Sequence, residues 1–155
     1  MEEGKNMMGY SRIIFVCRSN TSRSPMAEAI FKSMETNQDI EVLSRGSVVL
    51  FPEPINPKVE VVLKNNNLEL VRDKAKQLDK KDIVDNTLVL TMSEQLKLEV
   101  MSNFEGIDNV HNLTEFVGEQ GDVVDPYGGT LKEYEVCFND LVRLVKKTVY
   151  KINEE

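Results

Sequence analysis

The stretch from Arg12 to Glu28, RIIFVCRSNTSRSPMAE, decides how the rest of the chain is read. Its opening, Arg12 to Val16, is a short β-rich apolar run, and CRSNTSRSP then gathers polar, turn-forming residues. From there Ala27, Ile30, Phe31 and Met34 fall at i, i+3, i+4 and i+7, the spacing of one helical face. Ser24 is placed to cap this helix and Pro25 to occupy its first position, where a missing N–H costs nothing. The pattern predicts strand, tight loop, helix.

The same alternation continues outward. Ile40 to Leu43 reads as a second strand running into a turn-rich stretch, after which Asn56 and Pro57 open a helix with Val59, Val62 and Leu63 on one face. The Asn65-Asn66-Asn67 cluster ends it. Thr87 to Met92 reads as a buried central strand, followed by a helix capped by Ser93 and carrying Leu96, Val100 and Phe104, then by a short strand near Asn109 to Leu113. Thr130 and Glu133 form a capping box for a last helix whose apolar face is Leu131, Tyr134, Phe138, Leu141 and Val145. Short strands alternating with amphipathic helices predict an α/β fold: a doubly wound, mostly parallel four-stranded sheet with helices on both faces, flavodoxin-like, with ligands at the carboxyl ends of the strands.

Composition bounds the function. The 155 residues, 41% hydrophobic and 29% charged, suit one domain over 1–155 with a polar N-terminal extension over 1–10. A net charge of −7 repels nucleic-acid phosphates and anionic lipid at long range, so neither nucleic acid nor a membrane is expected as a partner. The apolar runs fall far short of the roughly 20 residues that span a bilayer, and the first residues lack a signal peptide's apolar core. The expectation is a soluble, cytoplasmic protein. Two cysteines and a single histidine, with no C-x-x-C, leave little from which to build a zinc site, and neither metal nor cofactor is expected.

Chemistry concentrates where the first strand ends. Cys17 and Arg23 enclose five residues, and Ser24 and Pro25 follow immediately. A loop of that length curls so that its backbone N–H groups and the helix N-terminus converge on one point, a nest for a tetrahedral dianion. Cys17 lies at its floor, where those dipoles favour the thiolate over the thiol, and Ser24 donates a further hydrogen bond to the sulfur. The planar fork of Arg23 matches two phosphoryl oxygens and holds the equatorial oxygens of a transition state.

VCRSNTSRSPMAE resembles the signature loop of the low-molecular-weight protein tyrosine phosphatases, V-C-x-G-N-x-C-R-S-P-x-A-E. Further similarity lies in SRG at Ser44 to Gly46, DKAKQL at Asp73 to Leu78, LTMSEQ at Leu90 to Gln95 and DPYGG at Asp125 to Gly129. The resemblance implies hydrolysis of phosphotyrosine on a phosphorylated protein substrate through a phosphocysteine intermediate. It makes Cys17 the nucleophile, Arg23 the phosphate clamp, Ser24 the thiolate partner and Asn20 the brace of the loop. Asp125 becomes the general acid that protonates the leaving oxygen and then activates water. Arg18, Ser19, Thr21 and Ser22 complete the substrate-binding loop, and Tyr127 flanks the substrate ring, with Leu50 or Phe51 as a second apolar wall.

Two positions depart from the pattern. Ser19 stands where the family has Gly, at a cost if the backbone there needs φ > 0. Ser22 replaces the second cysteine that traps an oxidised nucleophile as a disulfide. The resemblance also leaves alternatives. Thr21 and the DPYGGT tail are similar to the protein-arginine phosphatases of the same family, so phosphoarginine is the second substrate reading. A catalytically weak anion-binding interaction module would keep the same loop, but has no need of Cys17, Arg23 and Asp125 together. Arsenate reductases need a further cysteine pair near mid-chain, which is absent. Cys137, on the apolar face of the last helix, reads as a buried structural thiol, and His111 takes no role.

Overall fold

A computed structural model describes residues 8–35, 39–70 and 72–153. Four strands form one sheet: β1 (Arg12–Cys17), β2 (Glu41–Gly46), β3 (Thr87–Thr91) and β4 (Val110–Asn112), in the order β2-β1-β3-β4. Every neighbouring pair is parallel, with Cys17 opposite Gly46 and Val16 opposite Thr91. The helices are α1 (Arg23–Met34), α2 (Pro57–Asn65), α3 (Glu94–Asn103), α4 (Leu113–Phe116) and α5 (Leu131–Asn153), with a 3-10 turn at Lys80–Asp82.

The two-residue period of β1 divides the core. Ile13, Phe15 and Cys17 point to the face covered by α1, α2 and α5, where Phe15 meets Phe31 edge-on at 5.9 Å between ring centres. Ile14 and Val16 point to the other face, against Val89 and Val100. Both faces are covered, so the strands carry continuous apolar runs rather than alternating ones. From β1 the chain goes first to β2 on one side and later to β3 on the other, which makes the carboxyl end of β1 the switch point of the sheet, and Cys17 is the last residue of β1.

Four local readings hold in their physics. Asn56 caps α2 by accepting from Lys58 N, Ser93 caps α3 by accepting from Leu96 N, and the box at α5 forms through Glu133 N to Thr130 Oγ1 and Thr130 N to Glu133 Oε1. Tyr134, Phe138, Leu141 and Val145 are buried as expected, although Leu131 is exposed at the helix start.

Others need correction. Helix α1 begins at Arg23 with Ser22 in the capping position and no side-chain cap; Ser24 and Pro25 fall inside its first turn, and the Ser24 hydroxyl is engaged with Cys17 Sγ. Strand β2 is shifted toward the C-terminus, from Ile40–Leu43 to Glu41–Gly46, since Ser44 to Gly46 continue pairing with β1. The polar extension stops short of residue 10: Tyr10 belongs to the core, while 1–7 lie outside the described residues. The short α4 and the 3-10 turn carry no apolar period long enough to be seen in sequence.

Candidate active site

The loop between β1 and α1 is held by its carbonyls. Ser47 N donates to Cys17 O (3.0 Å), Val48 N to Arg18 O (3.0 Å), Asn56 N to Thr21 O (3.1 Å) and Met26 N to Ser22 O (3.2 Å). The described peptide bonds contain no cis form, so each carbonyl tied outward turns the following N–H the opposite way. The amides of Arg18, Ser19, Ser22 and Arg23 therefore face into the cradle whose floor is Cys17, and the N-terminus of α1 adds its positive end.

Gly46 makes the close seating of the loop possible. A Cβ there would stand 2.9 Å from Arg18 O and 3.0 Å from the Ser19 carbonyl carbon. The left-handed residue of the loop is Asn20, with φ 59°, and Ser19 is not among the residues with positive φ. The Gly-to-Ser departure therefore carries no backbone penalty, and the Ser19 hydroxyl pairs with Thr21 Oγ1 at 2.8 Å.

Beneath the loop, Ser24 Oγ lies 3.0 Å from Cys17 Sγ, and Asn20 Nδ2 donates to Ser24 Oγ at 2.8 Å and to Ser44 Oγ at 3.1 Å. Asn20 Oδ1 accepts from Lys76 N at 2.8 Å. Asn20 and Ser24 are fully buried, so they act from behind the loop rather than on its substrate face. Ser22 is buried too, Thr21 is 8% exposed, and Arg18 projects outward toward Glu99 at 3.8 Å.

Arg23 is buried under the 123–125 segment. Its Nη1 donates to Val123 O at 2.8 Å, and Nη2 stands 3.7 Å from Asp125 Oδ2. The Cys17 loop and the Asp125 segment are thus joined through one guanidinium. Asp125 is half exposed, its Oδ1 accepting from Tyr127 N at 3.1 Å in an Asx turn, and a β-turn closed by Gly129 N donating to Pro126 O at 2.8 Å follows. Lys58 Nζ reaches Gly129 O at 2.5 Å, anchoring the turn to α2. Tyr127, Leu50 and Phe51 are all exposed.

Cys137 is buried beside this segment, Sγ to Val124 O at 3.7 Å, and burial pushes its thiol up to about 12. It is a packing cysteine, as its place on the apolar face implied. His111 lies on β4, its pKa lowered by burial against a smaller opposing pull from Glu115. Among the described residues, no group of three or more His, Cys, Asp or Glu side chains is arranged to hold a metal ion, and no helix is long and apolar enough to cross a membrane.

The sequence reading did not assign Ser44, Glu28 or Arg72, which build the polar layer behind Asn20. Ser44 and Glu28 lay inside quoted motifs without a role. Arg72 had no signal, since its partners are far away in sequence.

A model of the low molecular weight phosphotyrosine protein phosphatases matches residues 12–155. The chain is 38% identical over 137 residues to low molecular weight protein-tyrosine-phosphatase PtpB of Staphylococcus haemolyticus, covering 88% of this chain and 96% of that one. Among solved structures it is similar to a low molecular weight protein tyrosine phosphatase from T. tengcongensis, with TM-score 0.84, 37% identity and coverage of 90% and 98%. It is also similar to the YwlE arginine phosphatase from Geobacillus stearothermophilus, with TM-score 0.84, 33% identity and coverage of 91% and 92%. A cysteine on the floor of a loop whose arginine reaches Val123 O and Asp125 thus sits in a chain that belongs to the low molecular weight phosphotyrosine protein phosphatase family.

Proposed function

We propose that the chain, residues 1–155, acts as one phosphatase domain that hydrolyses phosphotyrosine in proteins, with Cys17 as nucleophile. The observation that carries this reading is the junction at Arg23, which brings the Cys17 loop and Asp125 into one site. The Cys17 sulfur attacks phosphorus, the inward amides and Arg23 hold the equatorial oxygens, and Asp125 gives its proton to the leaving tyrosyl oxygen. Water then displaces the sulfur: the Asp125 carboxylate takes the water proton, the P–S bond breaks, and the Ser24 hydroxyl faces the charge that returns to Cys17. Tyr127, with Leu50 or Phe51, offers apolar faces for the ring.

Cys17→Ser should abolish turnover of para-nitrophenyl phosphate, and chelator should not slow the parent. A variant retaining the parent rate refutes the nucleophile.

The second reading is phosphoarginine. It is favoured by the Thr21 hydroxyl, held at the loop by Ser19, and by the similarity to a protein described as an arginine phosphatase. Thr21→Ile fills that place with carbon and removes the hydroxyl. Assaying parent and variant on phosphotyrosine and phosphoarginine peptides separates the two: a parent active on phosphoarginine that loses this activity on substitution, while keeping phosphotyrosine, reverses the order.

A further inference from the structure

We propose that Arg72 is a positioning residue for Cys17: its guanidinium, on the far side of the loop, sets the direction of a buried hydrogen-bond chain whose last link points the Ser24 proton at the sulfur. The chain starts at Glu28, a carboxylate only 3% exposed and able only to accept. Ser44 Oγ donates to Glu28 Oε1 at 2.7 Å, which commits the one proton of Ser44. The lone pairs of Ser44 Oγ then receive Asn20 Nδ2 and Arg72 Nη2.

Arg72 fixes the next link from both ends. Nη1 donates to Asn20 Oδ1 at 3.3 Å, beside Lys76 N on the same oxygen, while Nη2 also reaches Ser44 O at 2.9 Å and Glu28 Oε1 at 3.3 Å. With its oxygen held by two donors, the Asn20 amide must turn its NH2 toward Ser44 and Ser24. Ser24 Oγ then accepts from Asn20, and its own proton is left for Cys17 Sγ at 3.0 Å in preference to Arg45 O at 3.4 Å. An arginine holds this direction because it has five donors, no acceptor and a charge it does not lose. A group that could accept would let Ser44 turn its proton away from Glu28 and the Asn20 amide flip, leaving Ser24 free to point at Arg45 O. Arg72 also balances the buried charge of Glu28, which Lys32 meets at 3.5 Å.

Arg72 is approachable from behind. With Lys32 and Lys76 it lines a cavity of about 570 Å³ beside β2, and its side chain is 23% exposed, so a small cation can enter where the side chain has been removed.

The experiment follows alkylation of Cys17 by iodoacetamide at pH 6 with mass-spectrometric detection, for the parent, Arg72→Ala and Arg72→Gln. Loss of one charge-supported hydrogen bond to the sulfur should slow alkylation about tenfold in both variants. In Arg72→Ala, millimolar guanidinium should recover part of the rate. In Arg72→Gln the amide keeps donors but adds an acceptor, so the loss should persist in a variant that melts close to the parent. On a Ser24→Ala background, Arg72→Ala should add less than about twofold, because the last link is already gone. Arg72→Gln reacting at the parent rate, or full multiplication of the Arg72 and Ser24 losses, overturns the proposal. The inference shares the Cys17 assignment with the proposed function, yet alkylation needs no turnover: a parent that is alkylated as expected but hydrolyses no phosphomonoester would defeat the proposed function alone.

Discussion

Gly46→Ala tests whether the seating of the loop against β2 sets the catalytic geometry. The added methyl would meet Val49 Cγ2 at 2.5 Å, Arg18 O at 2.9 Å and Ser19 C at 3.0 Å. The valine lies in a surface loop and can rotate away. The other two atoms are backbone of the cradle, and reaching an ordinary contact near 3.4 Å requires them to move by about half an ångström. Two costs follow. Overpacking of this kind destabilises by about 1–3 kcal/mol, which in a chain of this size lowers Tm by roughly 2–12 °C. The shift also moves the Arg18 and Ser19 amides off the phosphoryl oxygens, and misplacements approaching 1 Å cost up to ~10²-fold in rate, so a drop of about 10- to 100-fold in kcat/KM is expected. The assay pairs para-nitrophenyl phosphate kinetics with a thermal melt, and the activity loss should exceed anything the fraction unfolded explains. A Gly46→Ala enzyme with parent kcat/KM would show that the loop does not depend on this contact.

Four further outcomes are expected. Asp125→Asn should lower kcat by ~10²-fold for a phosphotyrosine peptide and by much less for an ester with an acidic leaving group, measured side by side; equal losses would remove Asp125 as the acid. Arg45→Ala leaves Asp82 buried without the guanidinium that now meets it at 3.0 and 3.3 Å, and urea unfolding should show a loss of about 3–5 kcal/mol. The carboxyl of Glu119 is held down at about 2 by hydrogen bonds from Arg143 and Lys147. Its stabilisation is therefore present above the ordinary carboxylate range near 4.5 and is lost as pH falls toward 2, so the acid-side fall in Tm should be shallower for Glu119→Gln than for the parent. Cys137→Ala should keep parent kcat/KM, since its thiol packs against Val124 O; a catalytic defect with an unchanged melt would assign it a role in the site.

Local chemistry carried most of what was legible in the sequence. The strand-loop-helix around Cys17, the caps at Asn56 and Ser93 and the box at Thr130 each depend on residues within a few positions, and all are present. Ser24 shows the limit: its hydroxyl suits a helix cap, but a sulfur at the end of the strand and an amide from Asn20 claim it instead. Tyr10 was counted with a polar tail because its neighbours are polar, whereas tertiary packing places it in the core. The layer of Glu28, Ser44 and Arg72 was invisible for the same reason, since its links span 16 to 44 residues. The concern over Ser19 dissolves because Asn20 takes the left-handed turn of the loop.

The bond from Arg23 to Val123 O, which closes the site, also spans 100 residues, and the brace on Asn20 needs Lys76, 56 residues away. The cradle is therefore among the most non-local structures in the chain, and closing such loops is slow relative to forming the helices that flank them. A nascent chain that has already made β1 and α1 lacks the Asp125 segment until residues 123–129 have been synthesised and docked. Phosphatase activity during refolding should accordingly lag the far-ultraviolet helical signal, and a timed recovery of turnover would report the final docking of the chain rather than the assembly of its sheet.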